Sequence, residues 1–223
     1  MTRLAPSALA FAAALMMTTA ASTPRRERQG DLLDRAVQAW ATVKTARATF
    51  EQTITNPLVG RTLTASGEYQ QERPGKLAVT FADPANDRIV ADGKFVWLYL
   101  PSSAPDQVIK SPQGAAGTGT VDLSAQFLTA PRSRYVVTPA GTLVVGGRQT
   151  HAFNLVPKSP DGAPFKSAVV WIDDADATIR QFEVTEATGV LRRIRLTSLK
   201  TNVPVDAHAF VFVAPKGVRV VER

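Results

Sequence analysis

QERPGKLAVTF, residues 71–81, places an arginine ahead of a proline–glycine pair and a short apolar run. Counting back by twos from Phe81 gives Val79, Leu77, Gly75 and then Arg73. Alternate side chains of a strand share one face, so an extended chain aims the Arg73 guanidinium the same way as Leu77, Val79 and Phe81. Lys76–Phe81 therefore reads as a strand, and Arg73-Pro74-Gly75 as the turn or bend that feeds it. An arginine directed at the apolar side of a sheet is what the rest of the chain has to explain.

The same period of two extends outward in both directions. Ala48, Phe50, Gln52 and Ile54 alternate with Arg47, Thr49, Glu51 and Thr53, a half-buried strand that Asn56-Pro57 ends. Another strand is expected from Arg61 to Gln71, carrying Tyr69. After the turn residues DPAND, Arg88–Ala91 and Lys94–Leu100 flank Asp92-Gly93, a strong hairpin signal. The second of these, KFVWLYL, is apolar on both faces and belongs in mid-sheet, covered on each side. Residues 101–120 are rich in Pro, Ser and Gly, with a short QVI that can pair. Strands are expected again at 134–138, 142–146, 149–156, 165–173, 178–186 and 190–199. Asp206 can open a short helical turn, and AFVFV and VRVV close the chain.

Two segments have a different period. From Asp31 onward Leu33, Val37, Trp40 and Lys44 fall on one helical stripe, widened by Leu32, Ala36 and Val43. Near 121–130, Val121, Ala125 and Leu128, or Leu123 and Phe127, can face one side of a short helix. A large antiparallel sheet needs its concave apolar face covered, and these helices are the candidates. The expected fold is mainly β (α+β): an incomplete antiparallel β-barrel with a small helical lid over an apolar cavity.

The chain has 223 residues. Arg3, the apolar run LAFAAALMM and the small residues TTAAST have the layout of a secretory signal peptide, with cleavage after Ala20 or Ala21. That apolar run is too short to span a bilayer. The expected organisation is a cleaved signal peptide at 1–21, a flexible polar leader at 22–30 and a single domain at 31–223. No cysteine is present, so neither disulfides nor a lipid-modified cysteine can occur, and the fold rests on its apolar core. The 26 basic and 19 acidic side chains give a net charge of +7, or +6 without Arg3. In an exported protein this favours anionic membrane surfaces or acidic partners, and no nucleic acid.

The chemical inventory is thin. His151 lies in an alternating strand and His208 near a turn, and no Gly-x-Ser-x-Gly element occurs. No cysteine or paired histidine suggests zinc. DDADA, 173–177, lacks the glycine and terminal glutamate of a calcium loop and reads as a hairpin turn. No phosphate-cradling glycine loop is found. Of Arg192, Arg193 and Arg195, the last two share a solvated strand face. No catalytic residue, cofactor or metal is expected.

Several elements resemble the periplasmic outer-membrane lipoprotein carrier family, LolA: ATFEQ (48–52), ERPGKL (72–77), IVADGKFVWLYLP (89–101), IRQFEV (179–184) and FVFVAPKGVRVV (210–221). They occur in order over nearly the whole chain beyond the signal segment. The resemblance implies a monomeric, non-enzymatic carrier that takes acylated lipoproteins from an inner-membrane ABC transporter to an outer-membrane receptor. It also implies that the arginine of the Arg-Pro element, here Arg73, latches the lid through hydrogen bonds to lid-helix backbone. An arginine's five fixed donors suit the orphan carbonyls of a helix end. Leu77, Val79 and Phe81 share Arg73's face and are expected to line the acyl-chain cavity, with Phe50, Ile54 and Tyr69 on neighbouring strands. Trp97 and Tyr99 match family positions and are added to that set. Leu33, Val37, Trp40, Phe127 and Leu128 are the lid residues. Family members often carry bulky aromatics after the Arg-Pro element, where this chain has Leu77 and Val79.

Two relatives of the same fold are the alternatives. A LolB-like outer-membrane receptor carries a lipid-anchoring cysteine and an apolar loop tip, whereas ADPANDR (82–88) is polar. An RseB-like lipoprotein sensor usually carries an additional domain, for which this chain is too short. A lipid hydrolase is a more distant alternative.

Overall fold

The computed structural model describes residues 25–114 and 123–223. The expected signal peptide at 1–21 and Val121 of the second lid segment lie outside them. The chain opens with helix α1 (Arg25–Ala41). Six strands follow: β1 (Thr45–Asn56), β2 (Arg61–Glu72), β3 (Lys76–Asp83), β4 (Arg88–Asp92), β5 (Phe95–Tyr99) and β6 (Gln107–Pro112). Two short helices, α2 (Leu123–Leu128) and α3 (Pro131–Arg134), lead into β7 (Tyr135–Val145), β8 (Arg148–Pro157), β9 (Ser167–Asp173), β10 (Ile179–Thr185) and β11 (Leu191–Leu196). The two-residue β12 (Lys200–Thr201), a 3-10 turn at Ala207–Phe210 and β13 (Arg219–Glu222) complete the chain.

The strands form one sheet in the order β13-β6-β5-β4-β3-β2-β1-β11-β10-β9-β8-β7, with β12 beside β1. Two antiparallel meanders, β1–β6 and β7–β11, are stitched together by the β1·β11 pair, where Phe50 faces Leu196 and Ile54 faces Arg192. Strands β13 and β7 each pair on one side only, so the barrel stays open. The expected incomplete barrel is what the chain forms, with one departure from the antiparallel rule: β13 lies parallel to β6.

Alternation on β1 is strict. Ala46, Ala48, Phe50 and Gln52 point into the core while the residues between them are exposed. The concave face packs against α1 through Leu32, Leu33, Ala36 and Trp40, and against α2 through Phe127 and Leu128. Val37 is half-buried at the edge of this cluster. Phe127 sits among Phe165 and Phe182, with ring centroids 5.8 and 5.5 Å away. No helix among the described residues is long and apolar enough to cross a membrane.

Three local expectations differ from the structure. Helix α1 begins at Arg25, so 25–30, read as leader, form its first turns. Polar residues do not forbid a helix whose later turns pack on a sheet. The segments expected at 134–138 and 142–146 are one strand, β7, with a register break between Pro139 and Thr142. As β7 is an edge strand, Pro139 can forgo a ladder donor there. AFVFV lies outside the ladder, because Asp206 opens the 3-10 turn by accepting a hydrogen bond from the His208 backbone at 2.9 Å. The segment then crosses the convex face, burying Phe210 and stacking Phe212 on Trp97 with centroids 5.4 Å apart. This cover explains why β5 is apolar on both faces.

Candidate functional site

An apolar cavity of about 240 Å³ opens on the concave face of β1, β2, β3, β4, β10 and β11. Of the residues expected to line it, Phe50, Tyr69, Val79 and Phe81 form its wall. Leu77, one pair further along β3, is buried in the adjoining core and does not line the cavity. Ile54 sits on the same face of β1 as Phe50 and Gln52, opposite Arg192, at the end of the wall nearest the β1–β2 turn. Trp97 and Tyr99 are not part of the cavity. Both pack against Phe212 on the convex face, and the Trp97 indole donates to Asp92 at 2.9 Å. With both faces of β5 apolar, composition carried no information about phase, and Val96 takes the inward position.

The wall has a defined construction. Phe50, Gly67 and Phe81 lie in one row across β1, β2 and β3. The two rings meet edge to face over the glycine, with centroids 5.4 Å apart. A Cβ at Gly67 would come within 2.2 Å of the Thr80 carbonyl oxygen and 3.0 Å of the Phe50 ring. Several wall residues went unread in the sequence: Ile89, Phe182, Ile194, Leu196, and the polar Gln52, Ser124 and Arg192. Arg192 donates to Gln52 at 3.4 Å and pairs with Glu186 at 3.1 Å.

Arg73 does not reach the concave side by strand alternation, since β3 begins only at Lys76. Residues 73–75 form the β2–β3 turn, closed by Gly75 at a φ of +77°. The register Thr45↔Glu72 sets this turn beside the α1–β1 junction. There the Arg73 backbone N–H donates to the Lys44 carbonyl at 2.8 Å. Its Nη1 donates to the Trp40 and Val43 carbonyls at 2.8 and 3.1 Å, and the guanidinium lies 5.5 Å from the Trp40 ring centroid. These carbonyls belong to the helix end and its exit, the groups an α-helix leaves without internal partners. Asn202 adds to this end, accepting from the Lys44 N–H at 2.8 Å.

Helix α2 is held in a similar way. Arg134 Nη1 and the Tyr135 hydroxyl each donate to the Gln126 carbonyl of α2 at 3.0 Å. Neither was singled out in the sequence, where nothing links them to residue 126. A second cavity, also about 240 Å³, lies between the end of α1 and the β9–β10 turn, and Ser124 of α2 borders both cavities. Leu33 and Trp40 of α1 and Phe127 and Leu128 of α2 are buried against the sheet.

The remaining chemistry is structural. DDADA is the β9–β10 turn, in which Asp173 accepts from Arg148 at 2.6 Å, Arg180 at 3.0 Å and the Ala175 N–H at 2.8 Å. Burial pushes the Asp173 carboxyl up, but these donors outweigh it and hold it below the ordinary range. His151 pairs with Asp174 at 3.2 Å. Among the described residues no three His, Asp or Glu side chains converge as a metal site would require.

An open sheet with an apolar hollow under helices pinned at their ends has the architecture of a binding protein for apolar groups. Residues 41–213 match the family model described as outer membrane lipoprotein carrier protein LolA. The chain belongs to that family, whose members are transport proteins and not enzymes. It is 30% identical to the outer-membrane lipoprotein carrier protein of Leptothrix cholodnii over 81% of each chain. It is 32% identical to that of Chromobacterium violaceum over 80% of this chain and 81% of the relative. Among solved structures, an uncharacterized conserved protein from Thermus thermophilus superposes with a TM-score of 0.54 at 16% identity, covering 87% of this chain and 99% of its own. That likeness concerns the fold alone.

Proposed function

We propose that the protein is a periplasmic carrier that receives acylated lipoproteins from an inner-membrane ABC transporter and passes them to an outer-membrane receptor. The observation that carries this reading is the apolar cavity walled by Phe50, Val79 and Phe81, beside a helix whose end is held by Arg73. Burial of each methylene contributes about 0.8 kcal/mol, so a multiply acylated protein leaves a bilayer only if something shields its chains.

At about 240 Å³ the cavity is smaller than the roughly 300–1,000 Å³ of an ordinary ligand pocket. Several acyl chains therefore require the helices to move. Displacing α2 joins the two cavities that Ser124 separates, and releasing Arg73 frees the end of α1. The closed state then has restored hydrogen bonds and little room, which favours discharge. The open state has apolar space but broken bonds. Cargo is held by burial and returned by re-latching, without covalent chemistry. The monomer suffices for this cycle, and residues 1–21 act as the export signal.

Two experiments test the reading. A triacylated lipopeptide should bind the purified protein while its non-acylated counterpart does not. Depletion of the protein should leave outer-membrane lipoproteins accumulating at the inner membrane. Unchanged lipoprotein distribution after depletion would overturn the proposal.

A further inference from the structure

The β1–β2 turn carries the most exposed large aliphatic side chain among the described residues: Leu58 is 82% exposed, next to Val59 at 63%. The turn is fixed and not ragged. Asn56 ends β1 with its side chain accepting from the Leu58 N–H at 3.0 Å, and Gly60 takes a φ of +64°. Below the tip, Arg61, Thr62, Leu63 and Thr64 are all exposed. Pairing of β2 with β3 begins only at Ser66, and pairing of β1 with β11 stops at Thr55. The hairpin thus extends past β3 by five residues of β2 and past β11 by the turn alone, and its outermost point is apolar.

We infer that the Leu58–Val59 tip inserts into the surface of an anionic lipid bilayer. Two aliphatic side chains on a narrow convex tip are too small for a stable protein interface, which buries roughly 1,200–2,000 Å². They are well suited to entering the interfacial region of a membrane, where each added apolar side chain contributes by burial. Charge points the same way. Residues 53–64 hold one charged side chain, Arg61, and no acid. Of the acids at the base of the hairpin, Glu51, Glu183 and Glu186 are paired with Arg195, Arg193 and Arg192, while Asp83 lies opposite Ser66, as far from the tip as Glu51. The tip itself therefore meets anionic headgroups with one positive and no negative side chain.

The position adds a consequence. Phe50, Gln52 and Ile54 run along one face of β1 from the cavity wall toward the turn. The tip thus touches lipid at the end of β1 that lies beyond the wall residues Gln52 and Arg192. This part rests on the carrier reading, whereas membrane contact itself does not.

The absence of native cysteine allows a single-cysteine test. Leu58→Cys, labelled with a solvatochromic dye, should shift to the blue on mixing with vesicles of phosphatidylethanolamine and phosphatidylglycerol. The same dye at Val213→Cys, a site 80% exposed on the C-terminal segment, should not respond. Replacing both tip residues (Leu58→Asp with Val59→Asp) should weaken vesicle binding about tenfold or more. The double variant should still bind a fluorescent fatty-acyl probe as the parent does, because the tip is remote from the wall residues. A silent dye at position 58, an equal shift at 213, or full vesicle binding by the double variant overturns the inference. Loss of acyl binding by the parent protein would instead count against the carrier reading.

Discussion

Arg73 and Trp40 are joined twice: Nη1 of Arg73 donates to the Trp40 carbonyl at 2.8 Å, and its guanidinium lies 5.5 Å from the Trp40 ring centroid. One side chain thus holds both the backbone and the aromatic ring at the end of α1. Each hydrogen bond from a charged donor contributes about 1.5–3 kcal/mol net. Arg73→Leu removes those to Trp40 and Val43, which shifts the lid toward its open state by tenfold or more on the usual scale of about 1.4 kcal/mol per decade. The variant is expected to fold and to load lipoprotein, but to transfer it poorly to an acceptor. A transfer assay from loaded protein to receptor checks this. Release at the parental rate would remove Arg73 from the mechanism.

The period of two points Arg73 inward, yet its side chain sits in a turn where that period no longer applies. What brings it to α1 is the register Thr45↔Glu72, which the sequence does not display. The same limit recurs at the cavity. The period of two on β1 and β3, joined to the family resemblance, selects Phe50, Tyr69, Val79 and Phe81, which the structure places on the cavity wall, and also Leu77, which it places in the adjoining core. Ile194, Leu196 and Arg192 were not legible, because β11 reaches β1 from about 140 residues away and no local pattern encodes that pairing. Trp97 and Tyr99 failed for another reason. A strand covered on both faces, here by the core and by Phe212, shows no polar side from which to read phase.

Gly67 is the clearest stability test of the wall. A methyl group there would meet the Thr80 carbonyl oxygen at 2.2 Å, and that oxygen belongs to the paired backbone of β3. The neighbour cannot swing aside as a flexible side chain would. Gly67→Ala should therefore cost about 1–3 kcal/mol, the range for overpacked sites. In a domain of this size that is about 2–4 °C of Tm for each kcal/mol. Differential scanning calorimetry of the two proteins measures it. An unchanged or raised Tm would mean that β2 and β3 separate more easily than their pairing suggests.

The Asp173 cluster sets an acid limit on stability. Its carboxyl is held below the ordinary value of 3.8, burial being outweighed by Arg148, the Ala175 N–H and Arg180. For a group depressed in the folded state, the stabilisation is complete above the unfolded value and disappears as pH falls through the folded one. The contribution should therefore be flat from neutrality down to about pH 4 and decline below it. Asp173→Asn should lower Tm across the flat range, and the gap to the parent should narrow as the pH drops below 3.8. Thermal melts of both proteins against pH test this. A gap that is constant into strong acid would assign the loss to packing and not to the carboxylate.

The carrier reading makes a demand on the cavity that stability alone does not. A wall residue that merely completes a core should resist enlargement, since close-packed interiors lose about 1–3 kcal/mol when overfilled. Val79 is different: it is only half-buried and faces an empty volume of about 240 Å³. Val79→Trp can place its ring in that space beside Phe81 and Phe50 without displacing backbone, so its Tm should remain close to the parent's. The same ring occupies the volume that acyl chains need, and binding of a fluorescent fatty-acyl probe should fall about tenfold or more, the equivalent of a few lost methylene contacts at about 0.8 kcal/mol each. Parallel titration and melting of Val79→Trp separate the two effects. Intact acyl binding with a lowered Tm would make the hollow an imperfection of packing, whereas lost binding at an unchanged Tm makes it the place where cargo is held.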